Sequence, residues 1–300
     1  MTNCGPGGSG TDSCCASLLV TGGTYYRTYN PGEDTNADAG PPWSDLADPA
    51  TVSTYRLDKY LVTVGRFRQF VEAWNNGAGW QPAANSGKHT HLNGGLGLAN
   101  SGAAGTYETG WVATDYSEIA PTDANLACGG SHATWTSSAG AQESLPITCV
   151  NWCESYAFCI WDGGFLPSEA EWEYAAAGGS EQREYPWGAV DPGTANQYAI
   201  YDWYYTGNPT DIAPVGYAYQ GAGLWGQLDM AGEVWEWNVD GYANYTSTCI
   251  DCAYLSASSS RVRRGGSFNN DASNLLASNR SDDDPSNRDN DIGFRCARTP

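Results

Sequence analysis

Ten cysteines and three histidines carry the most specific chemistry in this sequence of 300 residues. The cysteines are scattered, at Cys4, Cys14, Cys15, Cys128, Cys149, Cys153, Cys159, Cys249, Cys252 and Cys296. A structural zinc site wants two close pairs of Cys or His ligands. Cys249-Ile250-Asp251-Cys252 supplies one pair, and neither a second CxxC nor a His pair lies near it. Such scatter fits disulfides made in an oxidising compartment. His89-Thr90-His91 could offer two imidazoles to a metal, but a solvated loop is the plainer reading and the one expected. Carboxylates dominate the charge, with 34 Asp and Glu against 14 Lys and Arg and a net charge of -20. That balance repels phosphate backbones and argues against nucleic acid as a partner. Clustered carboxylates could instead hold a hard cation such as calcium. Asp282-Asp283-Asp284 reads as a solvated loop or a weak cation site.

The elements that must position these residues are short. Hydrophobic residues make up 41% of the chain, enough for a core, and 13 Trp and 19 Tyr outnumber 6 Phe. The 37 glycines point to turns and irregular loops rather than long helices. Residues 1–15 read as a stapled Cys- and Gly-rich arm, and 16–300 as a single domain with a loop-rich insertion at about 76–145. Strand signals fall at Leu18-Leu19-Val20, at Tyr25-Tyr26 and over 55–63. Phe67, Phe70, Val71 and Trp74 share one helical face over 65–75. A second helix is expected over 152–161. A third starts after Pro167, with Ser168 as cap and Glu171 closing a capping box, and stops at Gly178-Gly179. After 185 only short aromatic strands and turns are expected. Trp235-Glu236-Trp237 alternates as a half-buried strand does, with both indoles on one side. No signal peptide is visible, and no apolar run approaches 18 residues, so no membrane span is expected. The cysteine count favours a mature secreted or cell-surface form whose leader is missing, over a cytosolic protein.

Several runs are too specific to be composition. They are Gly163-Gly164-Phe165-Leu166-Pro167-Ser168-Glu169-Ala170-Glu171-Trp172, Tyr185-Pro186-Trp187-Gly188, Pro214-Val215-Gly216, Asp229-Met230-Ala231-Gly232-Glu233-Val234-Trp235-Glu236-Trp237, Arg264-Gly265-Gly266-Ser267-Phe268 and Gly293-Phe294-Arg295-Cys296. Their order and spacing resemble the formylglycine-generating enzyme family, also called the sulfatase-modifying-factor family. The resemblance is strongest over 145–300 and weaker over 16–75. It implies an α+β, C-type-lectin-type fold with few short helices, antiparallel strands and much irregular loop.

Members of that family oxidise a client sulfatase cysteine with oxygen and a copper ion held by two cysteines. Those cysteines come after the Gly-Gly-Ser-aromatic turn, where this chain has Asn270 and Leu275. An amide and an alkyl group cannot replace two thiolates around soft copper(I), so copper is not expected here. The resemblance also implies calcium at Asp229, Gly232, Val234 and Glu236, with Asn196 as a weaker second site. The mix of carboxylates and backbone carbonyls suits that ion. Glu233 stands where the family commonly has asparagine. An alternative role for Glu236 is to anchor a turn by hydrogen bonds. The resemblance further implies a disulfide between Cys159 and Cys296.

Residues 269–291, dense in Asn, Asp and Ser, resemble the variable region of diversity-generating-retroelement target proteins, which share this fold. The plainer reading is a fixed polar segment over the old active-site groove. The expectation is a binding protein whose Asn269, Asn270, Asp271, Asn274, Asn279 and Asn290 meet a protein or glycan ligand. Two alternatives stay open: a divergent oxidase acting on a sulfatase cysteine, and a structural or assembly protein of the cell surface.

Overall fold

Side-chain caps decide where the helices begin. The computed structural model describes residues 4–5, 10–29, 46–207, 210–246 and 248–300. The Thr63 hydroxyl accepts from the Arg66 amide and starts helix α1, Val64–Trp74, which buries Phe67, Phe70 and Trp74 as the spacing predicts. A short helix α2, Asp123–Ala127, is capped by Thr122. Helices α3, Trp152–Trp161, and α4, Glu169–Ala176, each open with a full capping box, Asn151 with Glu154 and Ser168 with Glu171. All eight residues of α4 are buried, so it is a core helix rather than an amphipathic one.

Twelve short strands surround these helices among the described residues. β1 (Ser17–Val20), β4 (Tyr55–Asp58) and β12 (Ala297–Arg298) form one antiparallel sheet centred on β4. β2 (Gly23–Thr28) pairs antiparallel with β3 (Ala47–Val52), and β7 (Cys249–Ile250) adds in parallel. β5 (Ala99–Asn100) meets β8 (Cys252–Ala253). The fourth sheet runs β10 (Arg280–Asp283), β9 (Arg261–Arg264), β6 (Trp235–Gly241) and β11 (Ile292–Gly293). These are the few short helices and many small sheets of the expected α+β fold.

Three sequence expectations need correction here. The strand expected over 55–63 ends at Asp58, because Tyr60, Leu61 and Val62 turn inward and Thr63 is needed as a cap. β6 is buried on both faces rather than one, since α4 covers the side opposite the indoles: Trp172 of α4 donates to Glu236 at 2.9 Å. Asp282 and Asp283 lie in β10, not in a solvated loop, and Asp283 pairs with Arg263 at 3.1 Å.

The 76–145 stretch feeds the main core. Leu92, Leu98, Trp111, Ile119, Leu126 and Trp135 pack in one cluster with Phe67, Phe158, Trp237 and Phe294. The solvated-loop reading of His89 fails for the same reason. Its ring is fully buried, with Nδ1 3.0 Å from Glu108 and Nε2 3.1 Å from Glu171. Two carboxylate acceptors require two N–H donors, so the ring is an imidazolium. Burial alone would lower its proton affinity, but the two carboxylates outweigh this and raise the pKa to about 10. His91 is half-buried and stacks on Phe165. Four disulfides staple the whole: Cys4–Cys14, Cys128–Cys149, Cys159–Cys296 and Cys249–Cys252. Cys249 and Cys252 are thus a disulfide rather than half of a zinc site. Cys15 and Cys153 stay free, the first exposed and the second buried.

Candidate functional site

β9 leads into the Gly265-Gly266-Ser267-Phe268 turn, where both glycines have positive φ, 99° and 73°. A Cβ on Gly266 would sit 2.8 Å from the Asn274 carbonyl, so only glycine lets the two backbones approach. Ser267 organises the loop after it. Its amide and hydroxyl donate to the Asn270 side-chain oxygen at 3.1 and 2.7 Å, and the hydroxyl also lies 2.8 Å from the Asn269 oxygen. Asp271 caps the next turn, accepting from the Ser273 amide and hydroxyl and from the Asn274 amide group. Asn279 donates back to Asn274. The polar atoms expected to meet a ligand therefore largely hold this loop together, and Asn269, Asn270, Asn274 and Asn279 are half-buried. Among the described residues the Asn270 amide nitrogen makes no hydrogen bond, and it remains a donor.

Two parts distant in sequence close over this turn. The Asp202 amide donates to the Asn270 carbonyl at 2.8 Å, and the Trp203 amide to that of Phe268 at 2.9 Å. The Trp203 indole is 46% exposed, yet its ring meets Phe268 edge-on at 5.0 Å and His132 at 5.1 Å. His132 comes from the insertion. Its Nδ1 lies 2.9 Å from the Thr210 carbonyl, which can only accept, so Nδ1 carries a proton. Gly130 packs against Asn290, close enough that a Cβ would touch its amide nitrogen at 2.7 Å. Asp291 closes the floor, its oxygen 3.3 Å from the Ser267 hydroxyl. Burial raises its carboxyl, and Arg263 counters that. Trp203 and His132 escaped sequence reasoning. Their approach to Ser267 depends on two long loops whose sequences carry no periodicity.

The donor set does not fit a copper ion. Leu275 is 1% exposed and packs with Tyr185, Ala199, Tyr201 and Ala231, so it belongs to the core rather than to a polar groove. Asn270 offers hard oxygen and nitrogen, not sulfur.

The expected calcium residues behave differently from one another. Both Glu236 oxygens are engaged, by Arg295 at 2.7 and 2.8 Å and by the Trp172 indole. Glu236 is thus the hydrogen-bonded anchor. Asp229 accepts from the Gly216 amide at 2.6 Å, but its second oxygen is buried with no partner among the described residues. Among the described residues both Glu233 oxygens are buried with no partner, although the Ala213 backbone amide acts to lower the carboxyl. Burial raises the Asp229 carboxyl to about 6, and burial with the Asp229 charge raises Glu233 well above its usual range. Both residues also hold positive φ, 58° and 67°. Two buried carboxylates with orphaned oxygens fit a hard cation. Among the described residues the Asn196 side-chain oxygen is likewise buried and unpartnered, while its amide donates to the Tyr204 carbonyl. Among the described residues no three His, Cys, Asp or Glu side chains converge as a metal set, so backbone oxygens would have to complete any shell.

A family model for the sulfatase-modifying factor enzyme 1-like domain matches residues 6–300. The chain belongs to that family. Among its relatives in the sulfatase-modifying-factor family, the formylglycine-generating enzyme of Streptomyces coelicolor is 34% identical over 185 residues, 55% of this chain and 58% of that protein. The inactive C-alpha-formylglycine-generating enzyme 2 of Bos taurus is 31% identical over 169 residues, 53% of this chain and 52% of that protein. The chain thus spans about half the length of the curated relatives it matches. The fold is shared with PvdO of Pseudomonas aeruginosa, with a TM-score of 0.62, 20% identity and coverage of 95% and 94% of the two chains. Treponema denticola variable protein 1 gives a TM-score of 0.55 and 19% identity, with 95% of each chain covered.

Proposed function

We propose that this family member is a non-catalytic binding protein of the secreted or cell-surface kind. It would meet a protein or glycan through the surface around Ser267, Asn270, Trp203, His132 and Asn290. The observation that carries the reading is the pair Asn270 and Leu275. One is tied to Ser267 and the other sunk in an apolar cluster, at the two places where the oxidase chemistry wants thiolates. An exposed indole on a rigid polar turn supplies stacking area at little entropic cost. Four disulfides support an oxidising compartment. One relative is named as inactive and one fold neighbour as a variable protein, which agrees with a scaffold kept for purposes other than oxidation.

Two experiments test this. Wild-type protein and a Trp203→Ala variant are run over glycan and peptide arrays, and the expected result is a ligand that the variant loses. Incubation with copper(I), oxygen and a cysteine-bearing sulfatase peptide is expected to leave the cysteine unchanged. Any formylglycine product replaces the binding reading with the oxidase one.

The reading includes calcium as a structural ion. Asp229 and Glu233 would supply carboxylate oxygens and Gly232 and Val234 carbonyls, with Glu236 fixing the strand through Arg295. A bound divalent ion neutralises the buried charge there. Adding calcium after chelation should raise the melting temperature saturably, and a flat response removes the ion from the proposal.

A further inference from the structure

β9 carries the Gly-Gly-Ser turn at one end and Arg261 at the other, about 10 Å along the strand from Arg264 at ~3.3 Å per residue. Beside Arg261 lies a cavity of about 230 Å³, walled by Trp152 and Tyr156 of α3, Val239 of β6, Leu255, and Asp115 of the insertion. It shares no residue with the surface around Ser267.

Three charged residues line this cavity, Arg261, Asp115 and Glu108, and the Glu108 carboxylate is already taken by the His89 ring and by the His89 and Leu98 amides. Arg66, Arg264, Arg288, Arg295 and Arg298 each pair with a carboxylate. Arg261, like Arg27 and Arg56, makes no ion pair among the described residues. Its guanidinium lies over the Trp152 ring at 3.9 Å and one Nη donates to the Val239 carbonyl at 3.0 Å. Its Nε is buried with no partner. Burial lowers its proton affinity and nearby carboxylates do not restore it. A desolvated cation held this way is costly unless an anion arrives. Asp115 mirrors it. Half-buried, it accepts only a 3.2 Å bond from Thr114 among the described residues, and burial raises its carboxyl. The two charges act on each other across the cavity without touching. A ligand with one charge would serve one of them and leave the other desolvated. A ligand with a carboxylate and an ammonium a few atoms apart serves both, and the Val239, Leu255 and Tyr156 walls then suit an apolar side chain. The volume falls below the ~300–1,000 Å³ of sites for drug-sized molecules, which points to a single small unit.

We infer that this cavity binds a small zwitterion, a free α-amino acid with an aliphatic side chain. The carboxylate sits on Arg261 and the ammonium faces Asp115. The site is independent of the binding surface proposed above.

Titration calorimetry on the intact chain tests this with leucine, N-acetyl-leucine, leucinamide and acetate. Leucine is expected to bind, with the three single-charge or neutralised probes weaker by at least about tenfold, the loss for one charged hydrogen-bonding partner. Arg261→Met should abolish leucine binding and Arg261→Lys weaken it. Asp115→Asn should narrow the gap between leucine and N-acetyl-leucine. Trp203→Ala should leave leucine binding unchanged, which separates this site from the Ser267 surface. Should Arg261→Met fail to fold, as its melting curve would reveal, the Lys and Asn variants still decide. No leucine binding below ~1 mM overturns the inference, as does acetate binding equally well or leucine binding unmoved by Arg261→Lys and Asp115→Asn alike.

Discussion

At position 275 a leucine side chain fills space between Tyr185, Ala199, Tyr201 and Ala231. Such a residue works for the fold, and its removal is expected to leave a cavity. Leu275→Ala should cost about 2–4 kcal/mol by urea denaturation, whereas Asn270→Ala, losing two hydrogen bonds at a half-buried turn, should cost ~1–2 kcal/mol. If the two costs are equal, position 275 is not a core position. Glu233 presents the opposite case. It is buried, unpaired, beside another carboxylate and in the left-handed region, where asparagine is tolerated far better than glutamate. Glu233→Asn is therefore expected to be more stable than the wild type in chelator, by about 1 kcal/mol or more. With calcium added the wild type should gain more than the variant. Thermal melts in the two buffers give both numbers, and a variant less stable in chelator refutes the strain and charge assigned to Glu233.

The insertion is joined to the core by the His89 imidazolium, which bridges Glu108 of the insertion and Glu171 of α4. Its pKa is raised from the ordinary 6.5 to about 10 in the folded state. The folded chain therefore keeps a proton that the unfolded chain releases above 6.5, and stability falls as pH rises. The contribution is complete below 6.5 and lost as pH passes 10. His89→Gln should lower the melting temperature most near pH 6 and least near pH 10; a constant difference would mean the ring is neutral. The sequence announced the elements on either side of this bridge but not the bridge. Thr63, Asn151 and Ser168 cap their helices by local hydrogen bonds within three residues, so α1, α3 and α4 are legible. The family motifs likewise mark the Gly-Gly-Ser turn. Pairings such as His89 with Glu171, Trp203 with Phe268, or β3 with β7 join residues 65 to roughly 200 positions apart through loops without periodicity, and no local pattern encodes them.

Across the whole molecule only four of the 14 Lys and Arg side chains are buried. Arg66, Arg264 and Arg295 are buried and paired, so they neutralise interior carboxylates rather than the surface. Among the described residues ten carboxylates are nevertheless buried against four arginines, so part of the net charge of -20 lies inside, and the rest leaves the surface with a large acidic excess. Self-repulsion of this kind destabilises a compact state and is screened by salt, with a Debye length of about 10 Å at 0.1 M. The interior pairs, shielded from solvent, are screened far less. Raising sodium chloride from ~10 to ~150 mM is thus expected to raise the melting temperature, the reverse of the response of a fold held by surface salt bridges. The control is magnesium chloride at matched ionic strength in chelator-free buffer, compared with calcium chloride. Screening moves with ionic strength whatever the cation, whereas occupation of the Asp229 and Glu233 pocket saturates and favours the ion that accepts irregular oxygen shells. A melting temperature that falls with sodium chloride would mean that the exposed ion pairs, Lys59 with Asp12 and Arg183 with Glu181 among them, outweigh the repulsion.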